Sequence, residues 1–222
     1  MKVQTTEAQV WWVALYDEIR PLKMPPPGAL LEAVQRAFSF RVVPTEFKPG
    51  QGIELQQGVL SESEGPIAIE KIILFNDGLN IAVHSTTDDA DRVLNKTLET
   101  IFALGVREPV TPPSHTYASF VVADFDCSID NFFPASLLAE LAEMAEMAPK
   151  NGPAHALNFG FQFDPFRIER RPLARGNPGF RIERKEGFPY EGNRYFSVAN
   201  LPTSRHLRLL EHFEAAAQKA RA

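Results

Sequence analysis

Pro27-Gly28-Ala29-Leu30-Leu31-Glu32-Ala33-Val34 has a counterpart further along the chain in Pro134-Ala135-Ser136-Leu137-Leu138-Ala139-Glu140-Leu141. In each run a proline stands where a helix would open, a position at which its missing N–H is not needed. Upstream of the first lies Val10-Trp11-Trp12-Val13-Ala14-Leu15-Tyr16, and upstream of the second lies Tyr117 to Phe125; both are apolar, aromatic and β-branched, as strands are. Downstream, several strand-like segments lead to a closing amphipathic helix, entered through Val83-His84-Ser85-Thr86 in one case and Val198-Ala199-Asn200-Leu201 in the other. A unit of roughly a hundred residues written twice implies two like-folded modules packed on each other. The fold class read from this is α+β: a duplicated β-α-β-β-β-β-α unit with antiparallel sheets and helices on one face. The repeats are expected at 1–110 and 111–222, joined through Val110-Thr111-Pro112-Pro113-Ser114.

The individual elements follow from period and punctuation. Leu30, Leu31, Val34 and Phe38 recur at helical spacing. Phe40 to Phe47 reads as extended, and Ile53, Leu55, Gln57 and Val59 alternate with polar or small neighbours. Ser61-Glu62-Ser63-Glu64-Gly65 is a polar hairpin loop, and Asn76-Asp77-Gly78 a tight turn in which Asp-Gly would supply positive φ. Thr86 or Thr87, followed by Asp88, Asp89 and Asp91, starts a helix carrying Val93, Leu94, Leu98, Ile101 and Phe102. In the second unit, Pro134 to Met147 reads as a helix. Leu157, Phe159, Phe161 and Phe163 form a period-two strand, and Phe166 to Arg170 and Phe180 to Arg184 are expected to pair as a hairpin. Tyr195 to Ala199 is the last strand, and Pro202-Thr203-Ser204 caps a helix with Leu207, Leu210 and Phe213 inward.

This element order, repeated in one chain, resembles the TATA-box-binding-protein-like arrangement. The resemblance implies a curved sheet shared by two copies with helices on its convex side. It rests on topology over nearly the whole chain, and no functional residue is carried over from it. That family binds DNA through a basic concave face with wedging phenylalanines; here residues 1–110 hold 10 Lys+Arg against 15 Asp+Glu.

Composition narrows the function class. The formal charge of −5 over 222 residues argues against a surface that grips nucleic acid or anionic lipid everywhere. Cys127 is the only cysteine, so no internal disulfide and no cysteine metal site is expected. No apolar run approaches the ~20 residues that span a bilayer, and Met1 to Gln9 lacks a signal-peptide core. The expectation is a cytoplasmic protein with no membrane partner and no cofactor, in which self-association is left open.

Candidate chemistry is sparse. His84-Ser85-Thr86 resembles the His-x-Thr element of two-histidine phosphodiesterases, yet the matching Asn200-Leu201-Pro202 has no second imidazole to complete proton transfer. His206 and His212 are six apart, the wrong spacing to share a helix face. Asp124, Asp126 and Asp130 form a carboxylate run that could hold a divalent cation. Cys127 has no histidine neighbour and reads as structural. No residue is assigned as catalytic or metal-binding. The strongest feature is Phe166-Arg167-Ile168-Glu169-Arg170-Arg171 with its near-copy Phe180-Arg181-Ile182-Glu183-Arg184-Lys185, where Phe and Ile would point one way and Arg or Glu the other. Arg167, Arg170, Arg171, Arg181, Arg184, Lys185 and Tyr195 are therefore the expected partner-binding residues, by guanidinium forks and stacking. The leading expectation is a non-enzymatic adaptor that holds a protein partner within an assembly through an exposed sheet face and this basic hairpin. The alternatives are a nucleic-acid binder using the same arginines and a metal-assisted or histidine-dependent hydrolase built on His84, Asp124 and Asp126.

Overall fold

The computed structural model describes residues 1–19, 27–44, 52–63, 65–147, 160–163 and 179–221. Its elements are β1 (Lys2–Val13), α1 (Tyr16–Ile19), α2 (Pro27–Phe38), β2 (Ile53–Glu62), β3 (Gly65–Leu74), β4 (Gly78–Val83) and α3 (Thr87–Phe102). There follow β5 (Ser114–Asp124), α4 (Ala135–Met147), β6 (Gly160–Phe163), β7 (Phe180–Arg184), β8 (Arg194–Ala199) and α5 (Thr203–Arg221). The class is α+β, and the resolved strand pairings are antiparallel.

Two compact units divide the chain: an N-terminal one of Thr6–Ser119 with Leu201–Thr203, and a C-terminal one of Met1–Thr5, Phe120–Asn200 and Ser204–Ala222. The expected join at 110/111 lies in the link after α3, where the Thr111 N–H donates to Glu18 Oε2 at 2.8 Å. The division between compact units falls nine residues later, inside β5, because β1 and β5 each contribute a segment to both.

In the N-terminal unit the strand order is β2-β3-β4-β1-β5. Cross-strand partners Leu55, Ile72, Ile81 and Val10 form one row, and each is 0% exposed. Val34 and Phe38 of α2 and Val93 and Leu94 of α3 belong to the same apolar core. Removing each of those side chains from water stabilises the unit by about 1.5–3 kcal/mol. The neighbouring row, Gln56, Lys71, Ala82 and Gln9, points to the other face, as the pleat requires. Trp11 and Trp12 divide accordingly: Trp12 is buried and Trp11 half-buried.

Three local features depart from the sequence reading. The apolar phase of β2 flips after Leu55, so that Gly58 and Leu60 are buried while Val59 is 39% exposed. The flip falls at Gln57, whose φ of 57° is left-handed, level with the register shift between Ile69 and Lys71 in the β3–β4 ladder. The Asn76-Asp77 hairpin turn forms, with the Phe75 N–H donating to the Gly78 carbonyl at 2.8 Å, but Gly78 is not among the positive-φ residues. Glycine is needed there for space: a Cβ would lie 2.4 Å from the Trp12 carbonyl oxygen. Of the expected 40–47 strand, Val42 makes one bridge to Gln56 and residues 45–47 lie outside the described residues.

Helix starts obey local chemistry. Thr86 caps α3, its side chain accepting from the Asp89 N–H at 3.3 Å, with Asp88 and Asp89 in the first turn where the dipole favours negative charge. Among the described residues no helix is long and apolar enough to cross a membrane.

Candidate functional site

In the C-terminal unit the strand order is β1-β5-β8-β7-β6. The sequence suggested that 166–170 would pair with 180–184. The structure places β6 along one edge of β7 and β8 along the other, so both edges of the Arg-bearing strand are occupied. Phe166 to Arg170, with Arg167, Arg170 and Arg171, lie outside the described residues.

Strand β7 sorts its side chains by parity. Phe180, Ile182 and Arg184 are buried, while Arg181 and Glu183 are half-buried on the other side. The buried side faces α5: the Phe180 ring lies 5.7 Å from that of Phe213, and Ser197, opposite Ile182, meets His206. Arg184 is thus corrected. It shares parity with Phe180 and Ile182 and sits on the helix side at 7% exposure, unavailable to a partner. Tyr195, directly opposite Arg184, is 1% exposed and is corrected for the same reason.

These two residues build an internal clamp. Arg184 Nη2 donates to Asp130 Oδ2 at 3.0 Å and to Ser128 Oγ at 2.7 Å, while Nη1 donates to the Tyr190 carbonyl at 2.8 Å. Its guanidinium lies 3.7 Å from the Tyr190 ring centroid and 5.2 Å from that of Tyr195. The Tyr190 hydroxyl donates to Asp130 Oδ2, and Tyr195 Oη accepts from the Ile129 N–H at 3.1 Å. Burial, then the bond to Asp130, pushes the Tyr190 hydroxyl up to about 12; burial also raises that of Tyr195. The clamp holds both ends of the segment between β7 and β8, which turns through a 3₁₀ turn at Tyr190–Gly192 and a left-handed Asn193.

The side of this sheet opposite α5 carries a second set of contacts. Phe196 of β8 stacks on Phe120 of β5 at 6.5 Å and 24°, and both rings are half-buried. Opposite Phe196 stands Glu183, which accepts from Arg181 Nε at 3.0 Å and from its Nη2. Arg194 makes a two-point fork on Asp124, Nε to Oδ1 at 2.5 Å and Nη2 to Oδ2 at 2.8 Å. Gln4 adds a third donor to Asp124 at 2.8 Å. This fork holds the Asp124 carboxyl below its ordinary range and raises Arg194. Phe188, 46% exposed, lies under the Arg194 guanidinium at 4.3 Å, and Lys185 Nζ lies 5.7 Å from the Phe196 centroid. Of the predicted partner-binding set, then, Arg181 and Lys185 share this face. Phe120, Phe196, Phe188 and Arg194 belong with them and were missed. Phe196 and Arg194 had a signal, since both sit at the parity opposite Tyr195.

The other candidates separate. Asp124 belongs to the Arg194 fork, Asp126 has a 78% exposed side chain, and Asp130 belongs to the Arg184 clamp, so the carboxylate run does not converge. Among the described residues no group of three or more His, Cys, Asp or Glu could hold a metal ion. His84 is half-exposed, with Nδ1 3.8 Å from Glu7. His115 Nε2 and the Tyr117 hydroxyl both meet Asp91, at 3.0 and 2.7 Å. Cys127 is buried.

One serine–histidine pair went unforeseen. Ser197 Oγ lies 2.9 Å from His206 Nε2 and 2.7 Å from the Arg181 carbonyl. The carbonyl can only accept, so the single Ser197 proton goes there and His206 Nε2–H donates to Ser197. The hydroxyl is thereby withheld from any base, unlike a catalytic serine, whose proton passes to the histidine. Burial holds the His206 pKa at about 4, consistent with a neutral packing residue.

No family model and no curated protein sequence matches this chain.

Proposed function

We propose that this is a non-enzymatic, cytoplasmic binding protein that holds a protein partner on the face of its C-terminal sheet opposite α5. The observation that carries the reading is the Phe120–Phe196 stack, half-buried and bordered by the Arg181–Glu183 and Arg194–Asp124 pairs. An apolar centre with a rim of satisfied charges is the anatomy of a protein interface. Lys185 and Arg181 retain the role expected of them; Arg184 and Tyr195 support the face from behind.

We infer too that the chain arose by duplication, in the TATA-box-binding-protein-like topology described above. Each half runs strand, helix, strands, helix. Three residues separate Val83 from Thr87, and three separate Ala199 from Thr203, where the last helix of each half begins.

Affinity purification of the full chain from its native host, beside a Phe196→Asp variant of equal melting temperature, tests the binding role. A stoichiometric protein retained by the parent chain and lost from the variant supports it. A clean, partner-free chain in both preparations under gentle conditions overturns it.

A further inference from the structure

We propose that the segment seated on this face presents a carboxylate beside an apolar side chain, the carboxylate meeting Lys185 and the apolar group covering the Phe120–Phe196 stack. The proposal rests on the binding role given above and names the chemistry of its partner. Among the described residues Arg181, Arg194 and Lys185 border the stack, and the two arginines are already engaged. Arg181 is forked onto Glu183, and Arg194 is forked onto Asp124, which also accepts from Gln4. Lys185 differs. It is exposed, its ammonium reaches over the Phe196 ring, and among the described residues no carboxylate stands within ion-pair distance of it.

Charge complementarity decides between partners. A phosphate backbone gains affinity by neutralising several phosphates with several cations, whereas among the described residues the cations of this face are interleaved with two carboxylates, Glu183 and Asp124, that Arg181 and Arg194 already engage. A basic segment would meet Lys185 and find those carboxylates already satisfied. An acidic residue gains a partner in Lys185 without displacing an existing pair, and its apolar neighbour removes the two rings from water. The position of Lys185 is pre-set: it directly follows the clamped Arg184, and its N–H donates to the Arg194 carbonyl at 2.9 Å. Occupation of the face therefore costs side-chain freedom at Lys185 and no backbone freedom there.

Selection from a phage-displayed library of random peptides on the immobilised full chain tests this. The expected result is enrichment of peptides with Asp or Glu beside Phe, Leu, Ile or Trp. Their affinity should fall about tenfold for Lys185→Glu, fall also for Phe196→Ala, and persist for Lys185→Arg. Thermal melts confirm that each variant is folded. Enriched peptides that are basic or indifferent to charge, lost with Phe196→Ala but unchanged with Lys185→Glu, overturn the carboxylate proposal and leave the binding role standing. Absence of any enriched peptide, or enrichment unmoved by either variant, overturns both. Salt-sensitive retention of a single-stranded oligonucleotide lost with Lys185→Glu overturns both in favour of nucleic acid.

Discussion

Thr87 and Thr203 cap each other. The Thr203 N–H donates to Thr87 Oγ1 at 2.8 Å, and the Thr87 N–H donates to Thr203 Oγ1 at 3.0 Å. The two residues are 116 apart in the chain and belong to the same compact unit, and each opens a helix. Helix N-termini leave unsatisfied N–H groups, and here each threonine satisfies one on the other helix. The Ser119 hydroxyl adds a donor to Thr203 Oγ1 at 3.2 Å.

Thr203→Val keeps the shape of the side chain and deletes the acceptor, leaving the buried Thr87 N–H unpaired. The expected loss is about 1–3 kcal/mol in urea unfolding at neutral pH. Thr203→Ser should lose less than half of that. In a double-mutant cycle with Thr87→Val, a coupling energy below the error of the measurement would contradict reciprocal capping.

His206 makes stability depend on pH in one direction. Its folded pKa of about 4 lies below the unfolded value near 6.5, so the unfolded chain binds the proton more readily. Its contribution is complete above about pH 6.5 and is lost as the pH falls toward 4, an amount on the order of 3 kcal/mol. His206→Gln preserves a donor for Ser197 without titrating. Denaturant midpoints measured from pH 7 to 4.5 should fall more steeply for the parent chain than for this variant, since the carboxylates titrate in both.

The Arg184–Asp130 pair should behave as a unit. Asp130→Asn leaves a buried guanidinium without its counter-charge and should cost about 3–5 kcal/mol. Because Arg184 Nε and Asp130 Oδ1 have no hydrogen-bond partner among the described residues, the pair is incompletely satisfied even when intact. Arg184→Met combined with Asp130→Leu should therefore recover most of the loss. Additive single-variant costs would show that the two charges do not depend on each other.

Two glycines predict opposite outcomes. Gly78→Ala forces a methyl group against the Trp12 carbonyl, a backbone atom that can retreat only by distorting the β1–β4 ladder; a loss above about 1 kcal/mol is expected. Gly28→Ala in α2 meets nothing within 4 Å and should gain up to about 1 kcal/mol from helix propensity. Thermal unfolding of both variants separates a glycine held by contact from one that is merely tolerated.

Much of the fold was legible locally. Thr86 with its following aspartates marked the start of α3, Thr203 that of α5, and Asn76-Asp77 the β3–β4 turn, because caps and turns are satisfied within a few residues. The β2 phase was misread at Val59, since nothing local announces that Gln57 adopts a left-handed conformation. Arg184 was misread despite a usable signal: its position two residues after Ile182 placed it on the apolar side, but its charge argued for the surface.

From residue order alone came the periods of 3.6 and 2, the punctuation between elements and the near-neutral, arginine-rich character of the second half. Tertiary structure alone decided which charges are buried and which are displayed. Asp130, 54 residues before Arg184, gives that guanidinium a partner inside, whereas Lys185 beside it is exposed, with no carboxylate partner among the described residues. A strand's alternation offers two faces equally. Only the arrival of a distant helix, here α5 carrying His206 and Phe213, removes one of them from water.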